Sequence, residues 1–287
     1  MKKILYSVAA LALLLVAAAV VAPIAIDEEQ IKARIGAEVA AATGRELVID
    51  GHLDFALLPR PRLSLGGLRL ANLEGASARH MVSLKGLEAT VALVPLLSGE
   101  IEVTSLRLVE PVIELERLAD GRANWALGGR TGGSKRMGWV GISVDRLDIE
   151  NGTLTYRDAA SGRLVRFPKV EARLTAGSLQ GPFTAAGTTR LRGVPLGFEL
   201  TVGELREGRS LPLQAALTLG DEGARVAFSG AVSELGAEGK LRGKLRAEGA
   251  SLADFVSFVA ASADSPLSAP PLLAQAFRLE AQVAASA

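Results

Sequence analysis

The spacing of apolar residues divides the chain into three kinds of segment. Residues 4–26 form an unbroken apolar run, residues 28–43 carry apolar residues every three or four positions, and most of the chain from residue 45 onward alternates apolar with other residues. Apolar residues every three or four positions are typical of a helix with one buried side, and alternation is typical of a strand with one buried face. The pattern predicts a mainly β protein that begins with two helices.

The first predicted helix is a membrane anchor. The run from Ile4 through Leu14 to Ile26 contains 23 residues and no charge, and a bilayer core needs about 20 apolar residues. A signal peptide has a shorter apolar core of about 7–15 residues, which favours an uncleaved anchor, although small residues in the run leave cleavage as the alternative. Two lysines before the run and three acids after it predict a single crossing of a bacterial inner membrane. The N-terminus is then cytoplasmic and the bulk of the chain periplasmic.

The second predicted helix is short and amphipathic and occupies residues 27–44. Its apolar stripe consists of Ile31, Ile35, Val39 and Ala42, and Gly44 is a residue type that commonly ends helices. Two placements stay open for this helix. It packs on the first strand, or it lies near the membrane surface or plugs one end of a sheet.

The alternating segments predict two stretches of sheet. Where the alternation slips by one position, as at Gly66-Gly67, we expect a β-bulge, and Asn151-Gly152 predicts a hairpin turn. The predicted order is a first β-segment over 45–127, a glycine-rich loop over 128–138, a second β-segment over 139–250, a short helix and linker over 251–271, and the start of a further strand over 272–287. Because a strand pattern runs to the last residues, we expect the chain to be part of a longer protein.

Composition argues against several classes of function. The chain has 32 basic and 31 acidic residues and a net charge of +1, which provides no electrostatic footprint for nucleic acid. It has no cysteine and two histidines, so thiolate and multi-histidine metal sites are not expected. No nucleophile-elbow or phosphate-loop motif occurs. We therefore expect no catalytic residues, no enzyme activity, no metal and no cofactor.

The apolar faces of the predicted strands must be covered. Two short helices cannot cover so many strands, which leaves a sandwich, a closed barrel, or a long curled sheet with its apolar face inward. With aromatic residues at only 4%, few large rings can fill a core. This favours a long curved antiparallel sheet that forms an apolar groove for acyl chains, although a sandwich core would show the same alternation. The candidate groove residues are Leu47, Ile49, Leu53, Phe55, Leu63, Leu65, Val91 and Leu93.

Two sets of polar residues are further candidates. Asp120, Asn124 and Trp125 form a compact cluster at the end of a strand, which is either a contact for a partner or lipid head group or a tight turn with the tryptophan packed on the sheet. Basic residues at 60, 62, 69 and 79 either meet anionic head groups or belong to a solvated face.

The order of several short stretches carries a resemblance to a known family. After the anchor and helix come residues 43–53 (TGRELVIDGHL), 61–65 (PRLSL), 94–103 (VPLLSGEIEV), 120–125 (DGRANW) and 145–158 (DRLDIENGTLTYRD). In this order they resemble the AsmA family of bacterial periplasmic proteins anchored in the inner membrane.

This resemblance implies a fold and a function. AsmA proteins are similar to chorein-type lipid-bridge proteins, which have a long groove-shaped β-sheet. It implies a role in outer-membrane biogenesis through phospholipid transport between the two membranes, with the inner-membrane bilayer and phospholipids as partners. The alternative that the resemblance implies is assistance to outer-membrane protein assembly, with assembly components of that membrane as partners.

Overall fold

The computed structural model describes residues 28–56, 60–97, 103–127, 145–176, 181–204, 210–220, 223–233, 240–253, 255–256 and 275–286. These residues contain two helices of five or more residues and fourteen strands, which confirms the prediction of a mainly β protein. The predicted anchor (1–26), the glycine-rich loop (128–138) and most of the 251–271 segment lie outside them. No helix in the described ranges has the length and apolar character needed to cross a bilayer.

The helix predicted after the anchor is present as α1, Glu28–Thr43. Lys32 pairs with Glu28 at 2.7 Å one turn away, and this bond, followed by the Leu53 backbone N–H, holds the pKa of Glu28 below its usual value. The Leu53 N–H donates to Glu28 Oε1 over 2.7 Å. The start of α1 is therefore fastened to the sheet beside it.

Gly44 ends α1 as the sequence predicts. It adopts a left-handed conformation with φ of 69°, and its N–H donates to the Ala40 carbonyl over 2.8 Å. We expect Gly44→Ala to lower the free energy of unfolding by about 1 kcal/mol, because a Cβ is disfavoured in this conformation. Gly44→Asn should cost less, because asparagine tolerates a positive φ. Urea unfolding of both variants measures the difference, and equal losses would contradict this account of the cap.

The described chain forms two compact units, one from residues up to 144 together with 155–164 and the other from residues 145–154 together with 165–287. The first unit contains β1 (Leu47–Ile49), β2 (Leu53–Ala56), β3 (Arg62–Ala71), β4 (His80–Val91), α2 (Leu93–Leu97), β5 (Val103–Val109) and β6 (Val112–Arg117). β1 and β2 both pair antiparallel with β3, β3 with β4, and β4 with both β5 and β6.

β5 and β6 pair with consecutive parts of β4 in the same register. Gly86 faces Val109 and Val82 faces Ile113, so the register is the same on both sides of the break. The break falls at Glu110, with φ of 48°, and at Pro111, which lacks the N–H needed for a ladder bond. A register shift between Thr90 and Val91 is a β-bulge in the β4–β5 ladder. At Gly66-Gly67, where the sequence predicts a bulge, the β3–β4 ladder keeps its register, and the three residues 50–52 lie opposite these two glycines on the other side of β3.

β7, Arg146–Asp158, corrects the predicted hairpin at Asn151-Gly152. The strand runs through these residues without turning back. Asn151 takes a φ of 49° within it, and its N–H donates to Glu171 Oε1 over 2.8 Å. Asparagine tolerates a left-handed conformation, so here the Asn-Gly pair gives an irregularity inside a long strand.

The second unit is an antiparallel meander. Its strands are β8 (Arg163–Ala176), β9 (Phe183–Leu191), β10 (Val194–Val202), β11 (Leu211–Leu219), β12 (Arg225–Ser233), β13 (Lys240–Gly249) and β14 (Phe277–Ser286), each paired with the next from β8 onward. The further strand predicted near the end of the chain is β14. In the segment predicted as a short helix and linker over 251–271, where the helix was expected near 251–263, the described residues 252–253 and 255–256 are helical.

Candidate functional site

The eight predicted groove residues lie in the first unit, where the strand register divides them. Leu53 faces Leu65 and Phe55 faces Leu63, and Leu63 and Leu65 in turn face Ala89 and Leu87 of β4. Partners directly opposite each other share a face of the sheet. Leu53, Phe55, Leu63 and Leu65 therefore form one apolar surface, and Val91 belongs to it because it alternates with Leu87 and Ala89 on β4.

Leu47 and Ile49 lie apart from this surface. They face Leu70 and Leu68 of β3, which face Val82 and Leu84 of β4. Gly67 separates the two sets of residues on β3 and has a left-handed φ of 52°, and alternation of faces holds only along extended backbone. The candidates therefore form two sets, one on each side of Gly66-Gly67 along β3.

Leu93 is the third predicted groove residue, after Leu47 and Ile49, that lies apart from the surface around Leu65. The sequence places it at the end of a strand, but it begins the five-residue helix α2. Pro95 explains the change, because proline interrupts a strand ladder and is tolerated in the first turn of a helix. Leu93 is 36% exposed and the next residue, Val94, is 78% exposed.

The predicted polar cluster is organised around Asn124, which is completely buried. Its Oδ1 accepts the Glu116 N–H over 2.9 Å. Its Nδ2 donates to the Glu114 carbonyl over 2.7 Å and to Asn72 Oδ1 over 3.0 Å. Asn124 therefore joins β6 to the loop between β3 and β4 and presents no surface to a partner.

A second link joins the same two segments. Glu116, which is 6% exposed, accepts the Ser77 N–H over 2.9 Å and the Ser77 hydroxyl over 2.7 Å through Oε2. Asn72 closes its own loop by donating to the Ala78 carbonyl over 2.9 Å. The cluster thus acts as a structural clasp at one end of the first unit.

Asp120 and Trp125 lie at the surface of this clasp. Asp120 accepts the backbone N–H of Arg122 and also its guanidinium, over 3.0 and 2.7 Å, and these bonds lower the pKa of the Asp120 carboxyl. Trp125 is 37% exposed, with its ring centre 6.0 Å from that of Tyr156. The arrangement matches the tight turn with a packed tryptophan, one of the two sequence interpretations.

An apolar surface that spans six strands lies in the second unit, outside the predicted residues. On one side of β9–β14, nearly every cross-strand partner is apolar or glycine. We call this side the open apolar face, and its members include Ala185, Leu196, Phe198, Leu200, Val202, Leu213, Ala215, Leu217, Val226, Phe228, Val232, Leu241, Leu245, Ala247, Leu279, Ala281 and Val283. The one hydroxyl in it, Thr189 Oγ1, donates to the Pro168 carbonyl over 2.8 Å.

Within the described residues, cover over the open apolar face lies along one margin. There Leu196, Leu219 and Ala224 are buried beneath partly buried neighbours that include Phe255 and Phe277, whose ring centres lie 5.2 Å apart. Away from this margin Leu200, Leu217 and Leu279 are 36%, 43% and 50% exposed. Contiguous exposed apolar surface of this kind marks a binding surface more often than a structural one.

Glycines allow the aromatic rings to lie along this face. The end of the Phe228 ring, Cζ, is 2.7 Å from where a Cβ on Gly230 would stand and 2.6 Å from one on Gly243. Phe198 Cζ lies 2.8 Å from the corresponding position on Gly187, its cross-strand partner. Both rings therefore occupy space that side chains would fill on a strand without glycine.

The opposite side of the same strands is polar. Ion pairs cross from strand to strand there, between Arg225 and Glu199 at 2.8 Å and between Arg246 and Glu280 at 2.7 Å. Exposed pairs add little stability, but together with the apolar side they make the two faces chemically distinct.

No group of His, Asp or Glu side chains among the described residues is arranged to hold a metal.

Comparison with protein families decides the assignment. The family model described as AsmA family matches residues 1–272, which include the predicted anchor, α1 and the strands through β13. The chain belongs to the AsmA family. Comparisons of this AsmA chain with curated proteins and with solved structures find no match in either.

Proposed function

We propose that this AsmA-family protein binds phospholipid acyl chains on the open apolar face and supports lipid transport between the inner and outer membranes. The observation that carries the proposal is the exposure of Leu200, Leu217 and Leu279 within a continuous apolar surface. Covering apolar area yields roughly 25 cal/mol per Å². An alkyl chain needs no hydrogen bonds, and this face offers almost none.

The first unit contributes a smaller surface to the same proposal. Leu53, Phe55, Leu63 and Val91 are only partly buried, and we propose that acyl chains also contact them. The proposal places the protein at the inner membrane with its β units in the periplasm, and it includes no catalytic step, cofactor or nucleic acid.

Photo-crosslinking on the two sides of β10 tests this proposal. A photoreactive phenylalanine analogue at residue 200 lies on the open apolar face, and at residue 201 it lies on the polar side. We expect phospholipid adducts from position 200 and few from position 201, measured by mass spectrometry of the full chain isolated from membranes. Equal adduct yields at both positions would show contact with bulk lipid only and contradict the proposal.

A charge on the open apolar face should remove the lipid. In chains with the crosslinker at residue 200, we expect Leu217→Asp to lower the phospholipid adduct about fivefold or more, because it places a carboxylate where roughly 1 kcal/mol of apolar contact was made. Gln214→Asp is the matched control, since it adds the same charge to the polar side of β11. Both positions are exposed, so we expect both variants to fold.

The second candidate function is assistance to outer-membrane protein assembly. The observation that favours it is the position of β14, which is last in the strand order and in the described residues pairs only with β13. An edge strand can pair with an incoming strand of another chain. Polypeptide adducts from the outer edge of β14, with no lipid adducts from residue 200, would favour this function.

A further inference from the structure

The end of the sheet next to α2, formed by the start of β3 and the end of β4, has both apolar and cationic side chains. Pro61 is fully buried, and its carbonyl accepts the Val91 N–H over 2.9 Å. This bond joins the start of β3 to the end of β4, and a single residue, Ala92, separates β4 from α2. Arg60 and Arg62 flank Pro61 and are exposed, and the structure shows neither side chain in an ion pair or hydrogen bond with a described residue.

The apolar part of this end is the beginning of α2. Val94 is 78% exposed, the highest value among the large apolar side chains in the described residues, and Leu93 is 36% exposed. Two adjacent apolar side chains held out from a short helix gain nothing in water. With arginines beside them, they match the interface of an anionic bilayer, which accepts apolar side chains below its charged head groups.

The same end lies on the side from which the predicted anchor enters the first unit. α1 starts at Glu28, which binds the Leu53 N–H, and Leu53 faces Leu65. From Leu65, β3 extends toward its beginning at Arg62, roughly 10 Å farther at 3.3 Å per residue. Gly44, at the other end of α1, leads into β1, which faces the opposite half of β3. The start of β3 is therefore the end of the sheet nearest the predicted anchor.

We propose that Leu93 and Val94, with Arg60 and Arg62, form a second contact with the inner membrane. This contact rests on the anchor included in the proposed function, and it deepens that function by fixing which end of the first unit meets the bilayer. Because the anchor already holds the chain at the surface, the contact is intramolecular in effect and needs little affinity of its own. The arginines meet anionic head groups, and the two apolar side chains enter the layer beneath them.

A fluorescent probe at residue 94 tests the contact in the full chain. The native sequence has no cysteine, so Val94→Cys accepts a single environment-sensitive dye. The labelled chain is placed in lipid nanodiscs of phosphatidylcholine and phosphatidylglycerol that contain doxyl-labelled lipid as a quencher. We expect quenching at residue 94 and none at Leu127→Cys, an exposed apolar position next to the clasp, at the other end of the unit.

Charge and apolar contributions are tested separately with the same probe. We expect each of Arg60→Glu and Arg62→Glu to lower the inserted fraction about fivefold in the anionic discs. Leu93→Asp should lower it as well, and discs of phosphatidylcholine alone should show weak quenching. Thermal unfolding of each variant confirms that the first unit remains folded.

The contrary results separate this contact from the proposed function. Quenching that is absent at residue 94, equal at residues 94 and 127, or independent of phosphatidylglycerol overturns the contact, while lipid adducts at residue 200 still report on the open apolar face. A chain that does not remain with the discs overturns the anchor and the contact together.

Discussion

Asn124→Leu is expected to lower the free energy of unfolding of the first unit by about 3–5 kcal/mol. The substitution removes the acceptor of the Glu116 N–H and the donor to the Glu114 carbonyl, and both groups stay buried. Each unsatisfied buried group costs about 1–3 kcal/mol, and a branched apolar side chain does not fit a site shaped for a planar amide. Urea unfolding followed by tryptophan fluorescence, to which Trp125 beside the clasp contributes, measures the loss.

Two further variants identify the cause of this loss. Asn124→Asp keeps the size of the side chain but replaces the Nδ2 donor with a carboxylate oxygen that faces two acceptors, so a large loss there assigns the effect to the polar contacts of the side chain rather than to its shape. Asp120→Ala changes an exposed residue of the same turn and should alter stability much less. If Asn124→Leu unfolds at the same urea concentration as the native chain, the clasp does not hold the two segments together.

Gly243→Val is expected to destabilise the second unit by about 3 kcal/mol or more, because new atoms would overlap a packed site. A Cβ at this position would stand 2.6 Å from Phe228 Cζ, 2.6 Å from the Ser229 carbonyl oxygen and 2.7 Å from Gly230 Cα. Two of these three atoms belong to the backbone of β12, so the strands themselves would have to separate.

Gly197→Val is the matched control for this clash. A Cβ on Gly197 would meet nothing closer than Thr218 Cβ at 3.7 Å, and valine favours strands. We expect this variant to be as stable as the native chain or slightly more stable in thermal unfolding. Equal destabilisation by the two valines would mean that close approach at Gly243 is not the cause.

Alternation predicted the strands well because successive side chains of a strand point to opposite faces, and this depends on the strand alone. Runs such as Val194–Val202 need no knowledge of their neighbours to be recognised, and the observed β10 has these bounds. The end of α1 at Gly44 could also be predicted, because the cap depends on residues close together in the sequence. These features follow from the order of residues along the chain.

The composition of each apolar surface was harder to predict because it depends on register between strands. Leu47 and Ile49 alternate in step with Leu53 and Phe55, yet they pair with a different part of β3, beyond Gly66-Gly67. Asn124 likewise gives no sign in the sequence that its partners are Glu114, Glu116 and Asn72, up to 52 residues away. The uncovered part of the second unit was visible only once the strands were aligned.

The flat position of Phe228 and Phe198 has a consequence for motion along the open apolar face. Rings that stand upright would make ridges, and a hydrocarbon tail crossing them would have to climb over each one. Here the rings lie in hollows left by Gly230, Gly243 and Gly187, so we expect neighbouring positions along the surface to differ little in energy for a bound hydrocarbon. Under the proposed function, we expect an acyl tail on this face to have no preferred stopping point and to slide sideways from strand to strand.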